Sequence, residues 1–154
     1  DLGETITEVL GFMGKEAEYR SIGVNVVIDE DTPKISTNRG RLQQILLNVT
    51  NNAFAAVDDG GHIDIAVGRR GQDEVLIRVT DDGCGMSEDQ LARVFEPFFT
   101  TKRGSGGVGL GLSITYSLVA ELGGSVSVES ELWVGTSFLI RLPVDGAGKE
   151  RVAR

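Results

Sequence analysis

The chain has 154 residues, 40% of them hydrophobic, and a formal net charge of −8 from 15 Lys and Arg against 23 Asp and Glu. That size and content suit one compact domain without disulfides, and the acidic balance repels nucleic acid while offering no basic stripe to hold it. The lone Cys84 suits a reducing compartment, and no run is long or apolar enough for a membrane span or a signal peptide. A cytoplasmic location without direct membrane contact is therefore expected for this domain. Because the chain begins at Asp1 rather than Met, it reads as part of a longer protein in which any membrane anchor would lie.

In chain order, apolar residues at Ile6, Val9, Leu10, Met13 and Ala17 predict a leading helix from Thr5 to Ile22, closed by Gly23. Val24 to Asp29 reads as a strand, followed by the turn at Asp31-Thr32-Pro33 and a short extended piece at Ile35-Ser36-Thr37. A second helix is expected from Arg39 to Val57, with Leu42, Ile45, Leu46, Val49, Ala53 and Val57 as its apolar stripe. His62 to Arg69 and Glu74 to Thr80 form a predicted hairpin. A glycine-rich loop follows, interrupted by a helical turn near Glu88 to Val94. Leu110 to Leu122 reads as a third long helix, apolar at Leu112, Ile114, Leu118, Val119 and Leu122. Strands at Ser125 to Glu131 and Thr136 to Leu142 close a domain of residues 1–145, and residues 146–154 read as a polar tail. Helices interleaved with hairpins predict an α+β two-layer sandwich, a mixed sheet with helices on one face.

Four segments carry chemistry. Asn48 and Asn52 stand four apart on the predicted second helix, so both amides project from one face, toward nucleotide phosphate and its metal on this reading. Asp81 ends a strand ahead of Gly83 and Gly85, where a carboxylate can accept from adenine's exocyclic amine while the backbone approaches a flat ligand; an Asp-Gly turn is the competing reading. Phe95-Glu96-Pro97-Phe98-Phe99-Thr100-Thr101-Lys102 sets an aromatic anchor before a glycine-hinged, cation-bearing segment, the composition of a lid over residues 96–108. Gly107, Gly109 and Gly111 then open a helix whose free N–H groups suit a phosphate. No strand immediately precedes these glycines and no Lys-Ser/Thr follows them, so neither a dinucleotide fingerprint nor a Walker loop is present.

In order and spacing these segments resemble the N, G1, F and G2 boxes of the GHKL ATP-binding superfamily, most closely the catalytic ATP-binding domain of sensor histidine kinases, with the F and G2 segments similar to its nitrogen-regulation branch. The resemblance covers residues 39–143 and implies the Bergerat fold, a mostly antiparallel sheet on three helices. It implies Mg²⁺ on Asn52, phosphates or their solvent at Asn48, and adenine read by Asp81 with room left by Gly83 and Gly85 beside Met86. It also implies Thr101 and Lys102 at the terminal phosphates, Lys102 and Asn48 being the implied catalytic pair. Gly107, Val108, Gly109, Leu110, Gly111 and Leu112 would wrap the phosphates, and Thr136 after Gly135 would sit beside adenine. Where some members of the family carry a Lys or Arg, three residues after the metal asparagine, this chain has Ala55.

The hydrolases of that superfamily hold a water-polarising glutamate four residues before the metal asparagine, a position occupied here by Asn48. An amide is no base, so slow hydrolysis and an outside acceptor are expected. His62, the only histidine, lacks the helical, acid-flanked setting of a phosphoacceptor and reads as a surface strand residue. The implied partners are therefore the phosphoacceptor helical hairpin of a parent kinase and a response-regulator receiver domain. A hydrolase of the same fold and a nucleotide-sensing module without catalysis are the alternatives.

Overall fold

The computed structural model describes residues 1–96 and 111–145. The lid segment beyond Glu96, with Thr101, Lys102, Gly107, Val108, Gly109 and Leu110, and the tail 146–154 lie outside the described residues.

The leading helix is two helices, not one: α1 (Leu2–Gly11) and α2 (Gly14–Tyr19). Gly11 and Gly14, which favour helix least after proline, flank the break, and the chain tightens there through a Met13 N–H to Leu10 carbonyl bond of 3.0 Å. Asp1 caps α1 by accepting from the Gly3 and Glu4 amides, so the helix begins before the expected Thr5. Strand β1 (Gly23–Ile28) follows, and the piece at Ile35–Thr37 joins no ladder; one Ser36 N–H to Val144 carbonyl bond of 2.8 Å holds it.

Helix α3 (Arg39–Ala56) starts at Asn38, whose side chain accepts from the Arg41 N–H. All six residues of its predicted stripe are buried. Strands β2 (His62–Arg70) and β3 (Glu74–Asp81) form the expected hairpin through a three-residue loop whose Gly71 takes φ +61°. The short α4 (Glu88–Arg93) opens on a Ser87–Gln90 capping box, α5 spans Gly111–Glu121, and β4 (Ser125–Glu131) pairs with β5 (Gly135–Pro143).

The five strands lie in the order β1-β2-β3-β5-β4, with β1 parallel to β2 and the other neighbours antiparallel. The α3 crossover makes the parallel pair possible. Ile63, Ile65 and Val67 alternate with exposed His62, Asp64 and Ala66, and β3 repeats the pattern with Val75, Ile77 and Val79. The inner face thus built packs with Phe138, Ile140 and Leu142 of β5 beneath Ile45 and Val49 of α3 and Val119 of α5 in one core. The other face of the sheet carries mainly polar side chains, the alternation expected of a sheet covered by helices on one side only. Among the described residues, no helix is long and apolar enough to cross a membrane.

Candidate functional site

Asp81 is the last residue of β3 and continues the inner row of Ile77 and Val79, so its side chain points beneath the helices and is only 3% exposed. Its Oδ1 accepts the Gly83 N–H at 2.9 Å. The carboxylate therefore anchors its own turn, as the turn reading of Asp81 expects. Ile63 and Thr136 are its cross-strand neighbours.

The glycines around Asp81 answer to backbone packing. A Cβ on Gly83 would lie 2.5 Å from the Ala56 carbonyl oxygen of α3, to which the Cys84 N–H donates at 3.2 Å. Gly85 takes φ +67° and Gly135 φ +145°, and Cβ atoms there would collide with the carbonyls of Glu131 and Asp81 respectively. The Asp81–Met86 loop is thereby wedged between the end of α3 and the β4–β5 hairpin. Ser130 finishes the clamp: its hydroxyl accepts from the half-buried Met86 N–H at 2.8 Å, donates to the Gly135 carbonyl at 3.0 Å and meets the Thr136 hydroxyl at 2.8 Å.

Asn48 and Asn52 are both half-buried on α3. The Asn48 amide nitrogen donates to Thr115 Oγ1 of α5 at 3.3 Å, tying the asparagine helix to the helix that begins at Gly111. Thr115 is fully buried, whereas the predicted stripe residue Ile114 is 38% exposed; the inward line of α5 runs through Leu112, Thr115, Val119 and Leu122. A polar residue on that apolar line was the readable sign of a buried hydrogen bond, and sequence reasoning missed it. Ser130 and the carbonyl of Ala56 carried no comparable sign. The rings of Phe95 and Tyr116, 5.3 Å apart at 44°, join the two sides of the segment between α4 and α5.

The structure thus brings Asn48, Asn52, Asp81, Gly83, Gly85, Met86 and Thr136 onto elements that touch one another, with α5 packed on α3 and presenting Gly111 and Leu112 at its start. His62 is not among them. It begins β2 on the outer face with its side chain 71% exposed; its Nδ1 lies 3.1 Å from Asp82 Oδ2 and its backbone N–H donates to Asp82 Oδ1 at 2.8 Å. That backbone bond, ahead of the imidazole itself, holds the Asp82 carboxyl below its usual range. A cavity of about 530 Å³ at this end of the sheet is ringed by the outward side chains of His62, Asp64, Thr80, Asp82, Glu129 and Ser137. Asp81, Ser130, Gly135 and Thr136 also line it, so it adjoins the Asp81 loop, whereas neither Asn48 nor Asn52 lines it.

A family model described as histidine kinase-, DNA gyrase B- and HSP90-like ATPase matches residues 37–146. The chain is 36% identical over 148 residues to sporulation kinase E of Bacillus subtilis, covering 96% of this chain and 20% of that protein. It is 37% identical over 144 residues to the sensor histidine kinase ZraS of Salmonella typhimurium, covering 94% and 30%. This chain therefore spans 20% and 30% of the length of those two relatives. Among solved structures, the nucleotide-free catalytic domain of histidine kinase ThkA superposes with a TM-score of 0.84 at 29% identity, covering 94% of this chain and 95% of that one. Full-length ShkA in complex with AMPPNP gives 0.85 at 32% identity over 97% of this chain and 31% of that one. ThkA in complex with the response regulator protein TrrA gives 0.80 at 28% over 94% and 40%. The chain belongs to the histidine kinase-, DNA gyrase B- and HSP90-like ATPase family, as a catalytic domain of the histidine-kinase type.

Proposed function

We propose that this chain binds Mg²⁺-ATP between α3, α5 and the Asp81–Met86 loop and donates the γ-phosphate to a histidine on a separate helical hairpin of a parent sensor kinase, from which a response-regulator receiver domain takes it. The observation that carries this reading is the joint placement of two asparagines on α3 and a buried strand-end aspartate on the inner face of the sheet. Asp81 offers a carboxylate acceptor to the adenine amine, the half of base recognition a backbone carbonyl would supply less strongly. Thr136, its cross-strand neighbour, meets the Ser130 hydroxyl within the β4–β5 hairpin.

The donor set also fits the metal. Mg²⁺ is held by one or two protein oxygens plus substrate phosphates and water rather than by a protein cage. The Asn52 amide oxygen is one such donor, and among the described residues no group of three or more His, Cys, Asp or Glu makes a cage. When bound, Mg²⁺ would neutralise charge on the phosphates. The rest falls to positioning: Thr115 orients the Asn48 amide, and α5 directs the positive end of its dipole toward the phosphates. Thr101 and Lys102 take the terminal phosphates in this proposal.

Asn48 separates a kinase from a hydrolase. Its amide cannot take a proton from water, and it is already engaged by Thr115. Incubated with γ-labelled ATP, the isolated chain should neither label itself nor hydrolyse ATP appreciably, and with its cognate hairpin domain it should label a histidine there. Brisk hydrolysis by the chain alone, or label retained on His62, would refute the proposal.

A further inference from the structure

Helix α3 carries no basic residue in its last turn, although its final carbonyls need donors and its C-terminal end favours a cation. Arg20, just past α2, supplies both from another element. Its Nη1 donates to the Phe54 carbonyl at 2.8 Å and its Nη2 to the Val57 carbonyl at 2.7 Å, while Nε donates to Asp59 Oδ1 at 2.7 Å. The Arg20 carbonyl in turn accepts the Gly60 N–H at 2.8 Å, so side chain and backbone together enclose the Phe54–Gly60 bend. Glu16, one turn earlier, stands 3.3 Å from Nη1 and keeps the guanidinium oriented. The planar fork suits two carbonyls and a carboxylate at once, which an ammonium cannot match.

This clamp bears on the nucleotide site because the same turn of α3 carries Asn52 and meets the Asp81–Met86 loop. Phe54 and Val57 present carbonyls to Arg20 on one side, and Ala56 between them presents its carbonyl to Cys84 and packs on Gly83 on the other. We propose that Arg20 is a positioning residue for the nucleotide site: by holding the last turn of α3 it sets the Asn52 amide against the Gly83–Cys84 backbone, and so its separation from Asp81. The inference rests on the Mg²⁺-ATP reading above. It adds a residue that lies well before the matched family segment in sequence and touches no substrate.

The test compares Arg20→Met and Arg20→Lys with Leu10→Ala, a partly buried change in α1 that lowers stability without touching the clamp. Calorimetry is run below every melting temperature, with ATP in Mg²⁺ and in EDTA. Arg20→Met should weaken Mg²⁺-ATP binding roughly tenfold, with a smaller loss in EDTA, and Arg20→Lys should recover part of it. Leu10→Ala should bind as the unmodified chain does. In the nucleotide-free chain, the Asn52 side-chain amide and the Gly83 and Cys84 N–H resonances should shift in both Arg20 variants. Unmoved resonances, or a binding loss in Leu10→Ala equal to that of an Arg20 variant, would overturn the role given to Arg20. Failure of the unmodified chain to bind Mg²⁺-ATP would instead refute the functional reading, and the resonances would still decide whether Arg20 sets the loop.

Discussion

Asp81 anchors its own turn and, under the proposed function, reads adenine, and substitution can separate the two. Asp81→Asn keeps an Oδ1 acceptor for the Gly83 N–H, so the turn persists, but it replaces one carboxylate oxygen with an NH₂ that opposes the adenine amine. Asp81→Ala removes both functions and leaves the Gly83 N–H buried without its 2.9 Å partner. A buried donor stripped of its acceptor costs about 1–3 kcal/mol, which in a domain of this size corresponds to a fall of roughly 2–12 °C in Tm. Losing a charge-assisted bond to the ligand costs about the same in affinity, and at 1.4 kcal/mol per decade Kd rises roughly five- to 150-fold. Calorimetry with ATP beside thermal unfolding should therefore show Asp81→Asn with near-normal Tm and strongly weakened binding, and Asp81→Ala impaired in both. If Asp81→Asn unfolds as early as Asp81→Ala yet binds ATP normally, the aspartate is a turn residue alone and adenine is read elsewhere.

Asn52→Ala should remove most of the Mg²⁺ dependence of ATP affinity while leaving Mg²⁺-free binding nearly unchanged, as calorimetry in Mg²⁺ and in EDTA would show. Gly85→Ala forces a Cβ into the Glu131 carbonyl at φ +67°, and should destabilise by more than 1 kcal/mol in denaturant melts. Asn48→Glu places a carboxylate where the superfamily's hydrolases have theirs and should raise ATP turnover by the isolated chain, measured as phosphate release, at the expense of transfer to a hairpin domain. For Asp82, the folded-state carboxyl lies below its usual range, so its contribution to stability is present above the unfolded carboxylate pKa and is lost as pH falls through the lower folded value. Asp82→Asn should accordingly cost a little stability at neutral pH and nothing once the parent carboxyl is protonated, a difference read from melts between pH 2 and 7; with the side chain 49% exposed, solvent screening keeps it small.

Much of the fold was legible because burial follows period. Every stripe residue of α3 is buried, and β2 and β3 pair as the hairpin read from the sequence. The errors have local causes. Across Phe12 and Met13 the apolar spacing continues through a break that only the flanking Gly11 and Gly14 announce, so two helices read as one. Ile114 was assigned inward because it is apolar, and the side chain that lies inward is Thr115, whose hydroxyl engages Asn48. Strand order and the parallel β1–β2 pair were beyond pattern, since period tells which face a residue takes and not which strand lies beside it.

The site divides along the same line. Asn48, Asn52 and Asp81 were legible as side chains whose chemistry suits a nucleotide. What holds the loop after Asp81 in place is largely main chain: the Ala56 carbonyl on Gly83 and Cys84, the Glu131 carbonyl under Gly85, and the Asp81 carbonyl under Gly135. Those glycines are spaced for close approach of backbones, so the strand-end aspartate, the end of α3 and the β4–β5 hairpin meet without intervening side chains. A carbonyl has no letter of its own in a sequence, and its partner shows only as a glycine whose reason is elsewhere in the chain. Arg20 belongs to the same class: its charge is visible, but two of its acceptors are carbonyls 34 and 37 residues away. If the end of α3 is set by such contacts, as proposed for Arg20, then residues remote from the nucleotide are the place to look for changes in its affinity.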